Sequence, residues 1–297
     1  MKYNCTLGDK ISKSSHFLHK GDVKNLLKDM KKDSVKLLIT SPPYNIGKEY
    51  EKKINFEDYL DQQIEVIDEL IDVVRDDGSI CWQVGNYIKS KGEIIPLDIP
   101  FYNIFINKGL KLRNRIVWHY GHGLHANKRL SGRYETILWF TKSDDYTFNL
   151  DDIRIPQKYP GKRYPKGHKR AGEVSGNPKG KNPGDIWDIP NVKANHVEKT
   201  EHPAQFPTAL VRRLIRGLTD KGDWVFDPYL GAGTTLLASA LEGRIGIGAE
   251  IKKDYYPIIQ KRMKDLSQGK VNFRDDVETI MPDLNTKVAQ IPNEFKK

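Results

Sequence analysis

The stretch from residue 224 to residue 250 limits the fold of this chain more than any other. An apolar, β-prone run at 224–226 leads into Asp227-Pro-Tyr-Leu-Gly-Ala-Gly-Thr-Thr235, and the next six residues have the composition of a helix. A second apolar run at 245–249 ends in Glu250. A strand, a glycine turn and a helix, with an acid at the tip of the next strand, form the arrangement that holds a nucleotide-like ligand. The stretch therefore predicts an α/β fold with a ligand site at the turn.

The glycines of this turn, Gly231 and Gly233, permit unusual backbone angles and let a ligand approach the main chain. A Gly-x-Gly sequence before a helix can also be no more than a tight turn. No Lys-Ser or Lys-Thr follows the glycines, which excludes a P-loop, and the third glycine of the dinucleotide fingerprint is absent. The Asp227-Pro start and the position of Glu250 favour a ligand site, because an acid there usually holds a ribose diol.

A second motif, Ser41-Pro-Pro-Tyr44, directly follows an apolar strand predicted at 35–40. Two successive prolines stiffen the backbone and remove two amide donors, which leaves neighbouring carbonyls free to accept hydrogen bonds from a ligand. Tyr44 adds a flat aromatic face beside these acceptors. The combination suits a planar base with an exocyclic amino group, and the alternative is a proline-stiffened turn without a ligand.

The other periodicities predict alternating strands and helices. This alternation is typical of an α/β fold with a largely parallel sheet, and the last two strands, close in sequence, indicate an antiparallel edge. Asp22 is suited to cap the first helix. The predicted strands lie at 16–22, 79–84, 112–118 and 135–140, and the helices follow Asp22, span 56–75 up to a stop at Asp77-Gly78, and span 100–110.

A basic segment between residues 154 and 181 interrupts this pattern. Its only acid is Glu173, and prolines, glycines and three aromatic rings are interspersed. Such a segment suits contacts with phosphates and base edges, in keeping with a net charge of +10, and the alternative is a disordered linker. The predicted DNA-binding residues are Arg154, Lys158, Lys162, Arg163, Lys166, Lys169, Arg170, Lys179 and Lys181.

Composition excludes several other classes of protein. With only Cys5 and Cys81, we expect neither a disulfide framework nor a cysteine-based metal site, and no metal is predicted. No apolar signal segment and no membrane-spanning run are present, which predicts a cytoplasmic protein without a membrane partner.

Together these motifs resemble the beta group of DNA amino-methyltransferases of restriction–modification systems. That group has its Pro-Pro motif first, a basic insertion second and a glycine motif, Asp-Pro-Phe-x-Gly-x-Gly-Thr, last, and the same order is found here across residues 16–260. A His-Pro-x-Gln-x-Pro motif at 202–207 precedes the glycine turn, as in the group. The resemblance implies a Rossmann-like methyltransferase fold, with a twisted, mostly parallel sheet, helices on both faces and an inserted DNA-recognition region.

The resemblance also implies a site for S-adenosyl-L-methionine. In the group, an acid at the position of Asp22 contacts the adenine, and the His202 motif closes over the methionine end. His202 could be interpreted as a general base. Its position in a turn before proline instead favours a structural role, in which the ring is hydrogen-bonded. The predicted cofactor-binding residues are Asp22, His202, Gln205, Pro207, Asp227, Tyr229, Gly231, Gly233, Thr234, Thr235 and Glu250.

By the same resemblance, the chain divides into four parts. These are the first part of a catalytic domain at 1–150, a target-recognition insertion at 151–190, the cofactor-binding part of the catalytic domain at 191–265, and a tail at 266–297.

The implied reaction is direct methyl transfer to the amino group of a flipped base. The predicted catalytic residues are Ser41, Pro42, Pro43 and Tyr44. Serine before Pro-Pro more often accompanies cytosine in the group, which favours cytosine N4 over the alternative, adenine N6. Methylation at cytosine C5 is rejected, because neither cysteine follows a proline.

The expected partner is double-stranded DNA, with a cognate restriction endonuclease acting separately and a monomeric or homodimeric enzyme. Two other classes stay open at this point. One is a non-catalytic DNA-binding module with a methyltransferase-like fold, and the other is an RNA or small-molecule methyltransferase.

Overall fold

The computed structural model describes residues 5–6, 15–90, 93–121, 123, 125–193, 195–274, 285–286 and 290–295. These residues divide into two compact units, the first drawn from 1–148 and 185–276 and the second from 149–184 and 277–297. Of the predicted tail at 266–297, residues 275–284, 287–289 and 296–297 lie outside the described residues. No helix in the described ranges is both long and apolar enough to cross a membrane.

The first unit contains the strands and helices of an α/β fold. Its strands are β1 (Cys5–Thr6), β2 (Ser15–Lys20), β3 (Val35–Thr40), β4 (Val74–Val84), β5 (Asn86–Ser90), β6 (Glu93–Pro96), β7 (Lys111–His119), β8 (Tyr134–Thr141), β9 (Ile186–Asp188), β10 (Trp224–Asp227) and β11 (Ile245–Glu250). Its α-helices are α1 (Val23–Leu27), α2 (Phe56–Val73), α3 (Asp98–Asn107), α4 (Thr208–Leu218), α5 (Thr234–Leu241) and α6 (Tyr256–Ser267).

Nine of these strands form one sheet in the order β1-β2-β11-β10-β3-β4-β8-β7-β9. The central strands β2, β11, β10, β3 and β4 are parallel, whereas β8 pairs antiparallel with both β4 and β7. The largely parallel sheet with an antiparallel edge is thus confirmed. A separate hairpin of β5 and β6 and the short parallel strand β9 were not predicted.

The central strand β3 shows why helices cover both faces of the sheet. All six of its residues are buried, as expected of a strand with packed helices on each side. Leu38 belongs to a buried cluster with residues of α1, α2 and α3. Its neighbour Ile39 points to the other face, where it borders Leu210 and Leu214 of α4.

The boundary between α2 and β4 differs from the prediction. The helix ends at Val73 rather than at residue 75, because Val74 already pairs with Val35 in the sheet. Gly78, expected to stop the helix, lies inside β4, where a Cβ atom would be 2.9 Å from the carbonyl oxygen of Lys36. The pairing register shifts at this point, so Gly78 belongs to a β-bulge in β4 and does not end the helix.

The second unit contains the basic segment. It begins with a 3-10 turn at Leu150–Ile153, and backbone bridges then join Ile155 to Lys181 and Arg163 to Val174. The segment therefore has hydrogen bonds of its own, as a folded loop does.

Candidate active site

A cavity of about 1270 Å³ opens in the first unit where parallel strands end. The strands β3, β4, β10 and β11 have their carboxyl ends at one edge of the sheet, which is where ligands bind in α/β folds. Predicted site residues on its wall are Asp22, Ser41, Pro42, Pro43, Tyr44, His202, Gln205, Tyr229, Gly231, Thr234 and Glu250. The other predicted residues of the first unit, Pro207, Asp227, Gly233 and Thr235, do not line it.

The glycine turn after β10 has the backbone shape that only glycine adopts readily. Gly231 and Gly233 have φ angles of 53° and 77°, in the left-handed region. A Cβ atom on Gly231 would lie 3.0 Å from Nε2 of His202, and one on Gly233 would lie 3.0 Å from Ile259. Any side chain at Gly231 would therefore fill the space between the turn and the His202 loop.

Glu250 at the end of β11 is tied to this turn. Its carboxylate accepts hydrogen bonds from the Gly231 amide at 2.8 Å and from the Lys252 amide at 2.7 Å. Burial raises the pKa of the Glu250 carboxyl above its ordinary value. Each carboxylate oxygen has capacity for a further hydrogen bond, so the group can also accept from ligand hydroxyls.

Asp227 is fully buried and does not line the cavity, but it supports the site through hydrogen bonds. Its carboxylate accepts 2.6 Å hydrogen bonds from the Thr40 and Thr235 hydroxyls and one of 3.1 Å from the Tyr229 amide. Burial raises the pKa of this carboxyl to about 6. Because Thr40 ends β3 and precedes Ser41, these bonds hold the two motifs in a fixed relation.

The Ser41-Pro-Pro-Tyr44 turn presents a hydroxyl and a carbonyl. The Ser41 Oγ lies 3.0 Å from the Tyr44 Oη. The Tyr59 hydroxyl donates to the Pro43 carbonyl at 2.8 Å, whereas no described residue hydrogen-bonds the Pro42 carbonyl. Asn45, with a φ of 56°, closes the turn by pairing its side-chain amide with the backbone of Ile54. Of the two proline carbonyls, that of Pro42 is available to an incoming donor.

Sequence reasoning missed Glu135 of β8, an acid that lines this site. The Tyr44 hydroxyl donates to Glu135 Oε2 at 3.3 Å, and the Gln83 side-chain amide donates to both the Tyr44 Oη, at 3.1 Å, and Glu135. Burial raises the pKa of the Glu135 carboxyl to about 7. The only signal in the sequence is an acid at the head of an otherwise apolar strand.

His202 also lines the cavity, where its ring contacts two tyrosines. Its ring is stacked parallel to Tyr50 and meets the edge of Tyr255 at a centroid distance of 4.4 Å. The Ala204 amide donates to its Nδ1 at 3.2 Å, and burial lowers the pKa of His202 to about 4. The imidazole is thus neutral near pH 7, with its proton assigned to Nε2 on the side of Gly231.

Gln205 is held by its own loop. Its side-chain oxygen accepts from the Thr200 hydroxyl at 2.8 Å, and its amide group donates to the Glu198 carbonyl at 2.9 Å. The Glu198 carboxylate in turn accepts from the amide and hydroxyl of Thr208, the first residue of α4. These bonds shape the loop that carries His202.

Comparison with known proteins places this site in a family. The family described as DNA methylase matches residues 35–261, a range that contains both motifs. The chain belongs to the DNA methylase family. The family model covers DNA methylases of the adenine-N6 and cytosine-N4 kind, and type II methyltransferases of restriction–modification systems are among the relatives, so the chain is a DNA methyltransferase.

The chain is similar in sequence to a type II methyltransferase and similar in fold to solved methyltransferase structures. The type II methyltransferase M.BglII of Bacillus subtilis is 49% identical over 256 residues, covering 86% of this chain and 71% of that protein. A putative DNA modification methylase of Thermus thermophilus, solved in complex with S-adenosyl-L-methionine, is 26% identical with a TM-score of 0.61, covering 89% of this chain and 99% of the other. The PvuII cytosine-N4-specific methyltransferase has the same fold, with a TM-score of 0.67 at 20% identity over 92% of this chain and 97% of that chain.

The predicted DNA-binding residues of this DNA methylase lie in the second unit. Four of them are held by acids: Arg154 and Lys179 by Asp151, Arg170 by Glu173 and Arg163 by Glu294. Tyr164 is stacked on the His168 ring at a centroid distance of 4.3 Å, and the Arg170 guanidinium also lies over the Tyr164 ring. The side chains of Lys158, Lys162, Lys166, Lys169 and Lys181 are exposed.

Proposed function

We propose that this DNA methylase transfers a methyl group from S-adenosyl-L-methionine to the exocyclic amino group of a base flipped out of duplex DNA. Cytosine N4 is the favoured target, and adenine N6 is the alternative. The modification protects the site from a cognate restriction endonuclease.

The observation that carries this proposal is that one cavity has both motifs on its wall. Ser41 and Tyr44 of the first motif line the same cavity as Gly231 and Glu250. A base and a nucleotide-like donor bound at these two places are neighbours, which turns a reaction between two molecules into one within a single complex.

The residues present fit the proposed donor. Gly231 leaves open the space that a side chain would fill, and Glu250 retains capacity to accept from hydroxyls. Asp22 caps α1 through the Lys24 amide at 2.8 Å and also borders the cavity, so its capping and ligand roles are compatible. When bound, the donor supplies an electrophilic methyl group.

The Ser41 turn prepares the amino nitrogen of the base. That nitrogen is a weak nucleophile because its lone pair is delocalised into the ring. The Ser41 Oγ and the Pro42 carbonyl accept hydrogen bonds from the amino group and hold its protons out of the ring plane. The lone pair then returns to nitrogen, and catalysis consists of positioning and of stabilising the charge that develops. The Tyr44 ring provides the surface on which the flipped base stacks.

The proposed preference for cytosine is based on Ser41, the residue before Pro-Pro. In the resembling group, serine at this place more often accompanies cytosine, and aspartate or asparagine usually accompanies adenine. Both amino groups are similarly weak nucleophiles, so the preference rests on Ser41 alone.

The basic segment is the proposed contact with DNA. Its exposed lysines can neutralise phosphates and release the counterions condensed on DNA, which gives affinity without sequence preference. The stacked Tyr164, His168 and Arg170 offer aromatic and donor groups for base edges.

Mass spectrometry of nucleosides tests the proposal. Purified protein is incubated with S-adenosyl-L-methionine and duplex DNA or RNA, and the digested product is analysed, with Ser41→Ala as the inactive control. We expect 4-methylcytosine in DNA only. A product of 6-methyladenine alone would show that adenine N6 is the target instead of cytosine N4. Methylated RNA would change the substrate class. The absence of any product with DNA and with RNA would favour a non-catalytic DNA-binding module.

A further inference from the structure

We propose that Glu135 is the final acceptor of the proton that the target amino group loses, and that Ser41 and Tyr44 relay this proton to it. The inference rests on the proposed function, since it concerns the same amino group. Glu135 acts through the two hydroxyls and does not itself touch the base.

The geometry of the three side chains forms a continuous path. The Ser41 Oγ lies 3.0 Å from the Tyr44 Oη, and the Tyr44 Oη donates to Glu135 Oε2 at 3.3 Å. Gly85 allows this approach, because a Cβ atom there would lie 3.1 Å from the Tyr44 ring and 3.5 Å from Glu135 Oε1. Every step of the path is therefore within or near hydrogen-bond reach before any ligand tightens the site.

The path ends at a carboxylate that can keep the proton, a group that the Ser41 turn itself does not provide. A serine hydroxyl accepts a hydrogen bond well but is a poor place to leave a proton. As the nitrogen–carbon bond forms, the carbon–sulfur bond of the donor breaks, and the electron pair of that bond stays on sulfur. The nitrogen then loses one proton to Ser41 Oγ while Ser41 passes its own to Tyr44 Oη and Tyr44 passes its own to Glu135. The products are a neutral methylated amine, a neutral thioether and a protonated Glu135.

The surrounding groups make Glu135 the member of this cluster that titrates near neutral pH. Burial raises the pKa of its carboxyl to about 7. Burial also raises the pKa values of Tyr44, Tyr50 and Tyr120, so these phenols stay protonated at rest and serve only as conduits. Gln83, which also hydrogen-bonds Glu135, carries no charge.

Single-turnover methylation measured against pH tests the path in the intact protein. In the wild type, we expect the rate to rise with pH through a midpoint near 7 as Glu135 ionises. Glu135→Gln keeps the shape but cannot take the proton, and we expect it to lower the plateau rate about 100-fold and to abolish this midpoint. Glu65→Gln, which removes an exposed acid elsewhere, is the matched control and should keep both the rate and the midpoint.

Two further variants separate proton transfer from a merely structural role. Tyr44→Phe keeps the ring but interrupts the path, so its rate should also fall and lose the midpoint. The double variant Gln83→Glu/Glu135→Gln places a carboxylate beside the Tyr44 Oη from the neighbouring strand, and it should restore the rate at least about tenfold over Glu135→Gln.

Carbon-13 NMR of labelled glutamate gives a readout that does not depend on turnover. The resonance that Glu135→Gln removes should titrate near pH 7, and it should titrate higher in Tyr44→Phe, since the carboxylate loses a donor there. A wild-type protein that methylates DNA while Glu135→Gln and Tyr44→Phe keep its rate and midpoint would overturn the path but not the proposed function. A wild-type protein that methylates nothing would overturn both.

Discussion

Gly231 is the residue at which a single substitution should most strongly reduce the affinity for S-adenosyl-L-methionine. We predict that Gly231→Val lowers affinity for S-adenosyl-L-methionine at least about 100-fold, since each tenfold corresponds to about 1.4 kcal/mol of lost contacts. Its φ of 53° disfavours a β-branched residue, and the new side chain would meet His202 Nε2. Isothermal titration calorimetry measures the affinity directly.

Gly121→Val is the matched control for this change. Gly121 does not have a left-handed φ, and no described atom lies within 4 Å of a Cβ placed there, so affinity should stay at the wild-type level. Wild-type affinity in a folded Gly231→Val protein would refute a donor site at the turn.

Glu135 should make the protein less stable as pH rises. Its carboxyl has a folded-state pKa of about 7 against an ordinary 4.5, so the folded state holds a proton that the unfolded state has released. The contribution of Glu135 to stability is therefore fully present below pH 4.5 and is lost through the interval from 4.5 to 7. We predict that Glu135→Gln becomes more stable than the wild type across this interval, by up to about 3 kcal/mol at pH 7 and above.

Urea unfolding of the two proteins from pH 4 to pH 8 measures this difference. Glu65→Gln removes an acid from an exposed ion pair and should follow the wild-type curve to within about 1 kcal/mol. A constant difference between wild type and Glu135→Gln at every pH would contradict the raised pKa.

At the scale of elements, the contact between β3 and β10 explains how the site is assembled. The two strands are parallel neighbours, with Phe226 opposite Leu38. The Thr40 hydroxyl then reaches Asp227 across the ends of both strands. Parallel pairing thus places the residues after β3 beside the residues after β10, which is the reason the Ser41-Pro-Pro-Tyr44 motif and the glycine turn share one cavity.

The basic segment is the element whose charge should govern DNA affinity. We predict that replacing Lys162, Lys166 and Lys169 by alanine weakens duplex binding and reduces the slope of log affinity against log salt by about 2 to 3, near the 0.9 expected per phosphate contact. The three side chains are exposed. Fluorescence anisotropy with labelled duplex at several salt concentrations measures the slope.

The same three lysines changed to arginine provide the control for this prediction. That variant keeps the charge and should keep the wild-type slope. Cofactor affinity should be unchanged in both variants. An unchanged slope in the alanine variant would show that the DNA contact lies elsewhere.

At the scale of the whole molecule, the proposed function assigns donor binding and methyl transfer to different parts of the chain. Ser41 and Gly231 are far apart in sequence, and the sheet brings them to one cavity. We predict that Ser41→Ala lowers methyl transfer at least about 100-fold while donor affinity changes less than about threefold, since an acceptor for the amino group acts only during transfer.

Calorimetry and single-turnover assays on the same protein preparation test this separation. Ser34→Ala, outside the cavity wall, should leave both quantities unchanged. Equal losses of affinity and of transfer in Ser41→Ala would place Ser41 in donor binding instead of in the reaction.

Features that depend on neighbours along the chain follow from the residue pattern. An apolar run predicts a strand because its side chains must leave water, two prolines remove donors wherever they stand, and glycine is needed wherever φ is left-handed. For this reason β3, β10, β11 and the largely parallel sheet were predicted, and so were the two motifs.

Which side chains meet depends on how the strands pair in the folded protein. Glu135 and Tyr44 are 91 positions apart, and they come into contact because β8 pairs antiparallel with β4, which carries Gln83 between them. In the same way, burial and hydrogen bonds turn Asp227 toward Thr40 and Thr235, away from the cavity. Such contacts depend on strand pairing over long separations, which the local residue pattern does not encode.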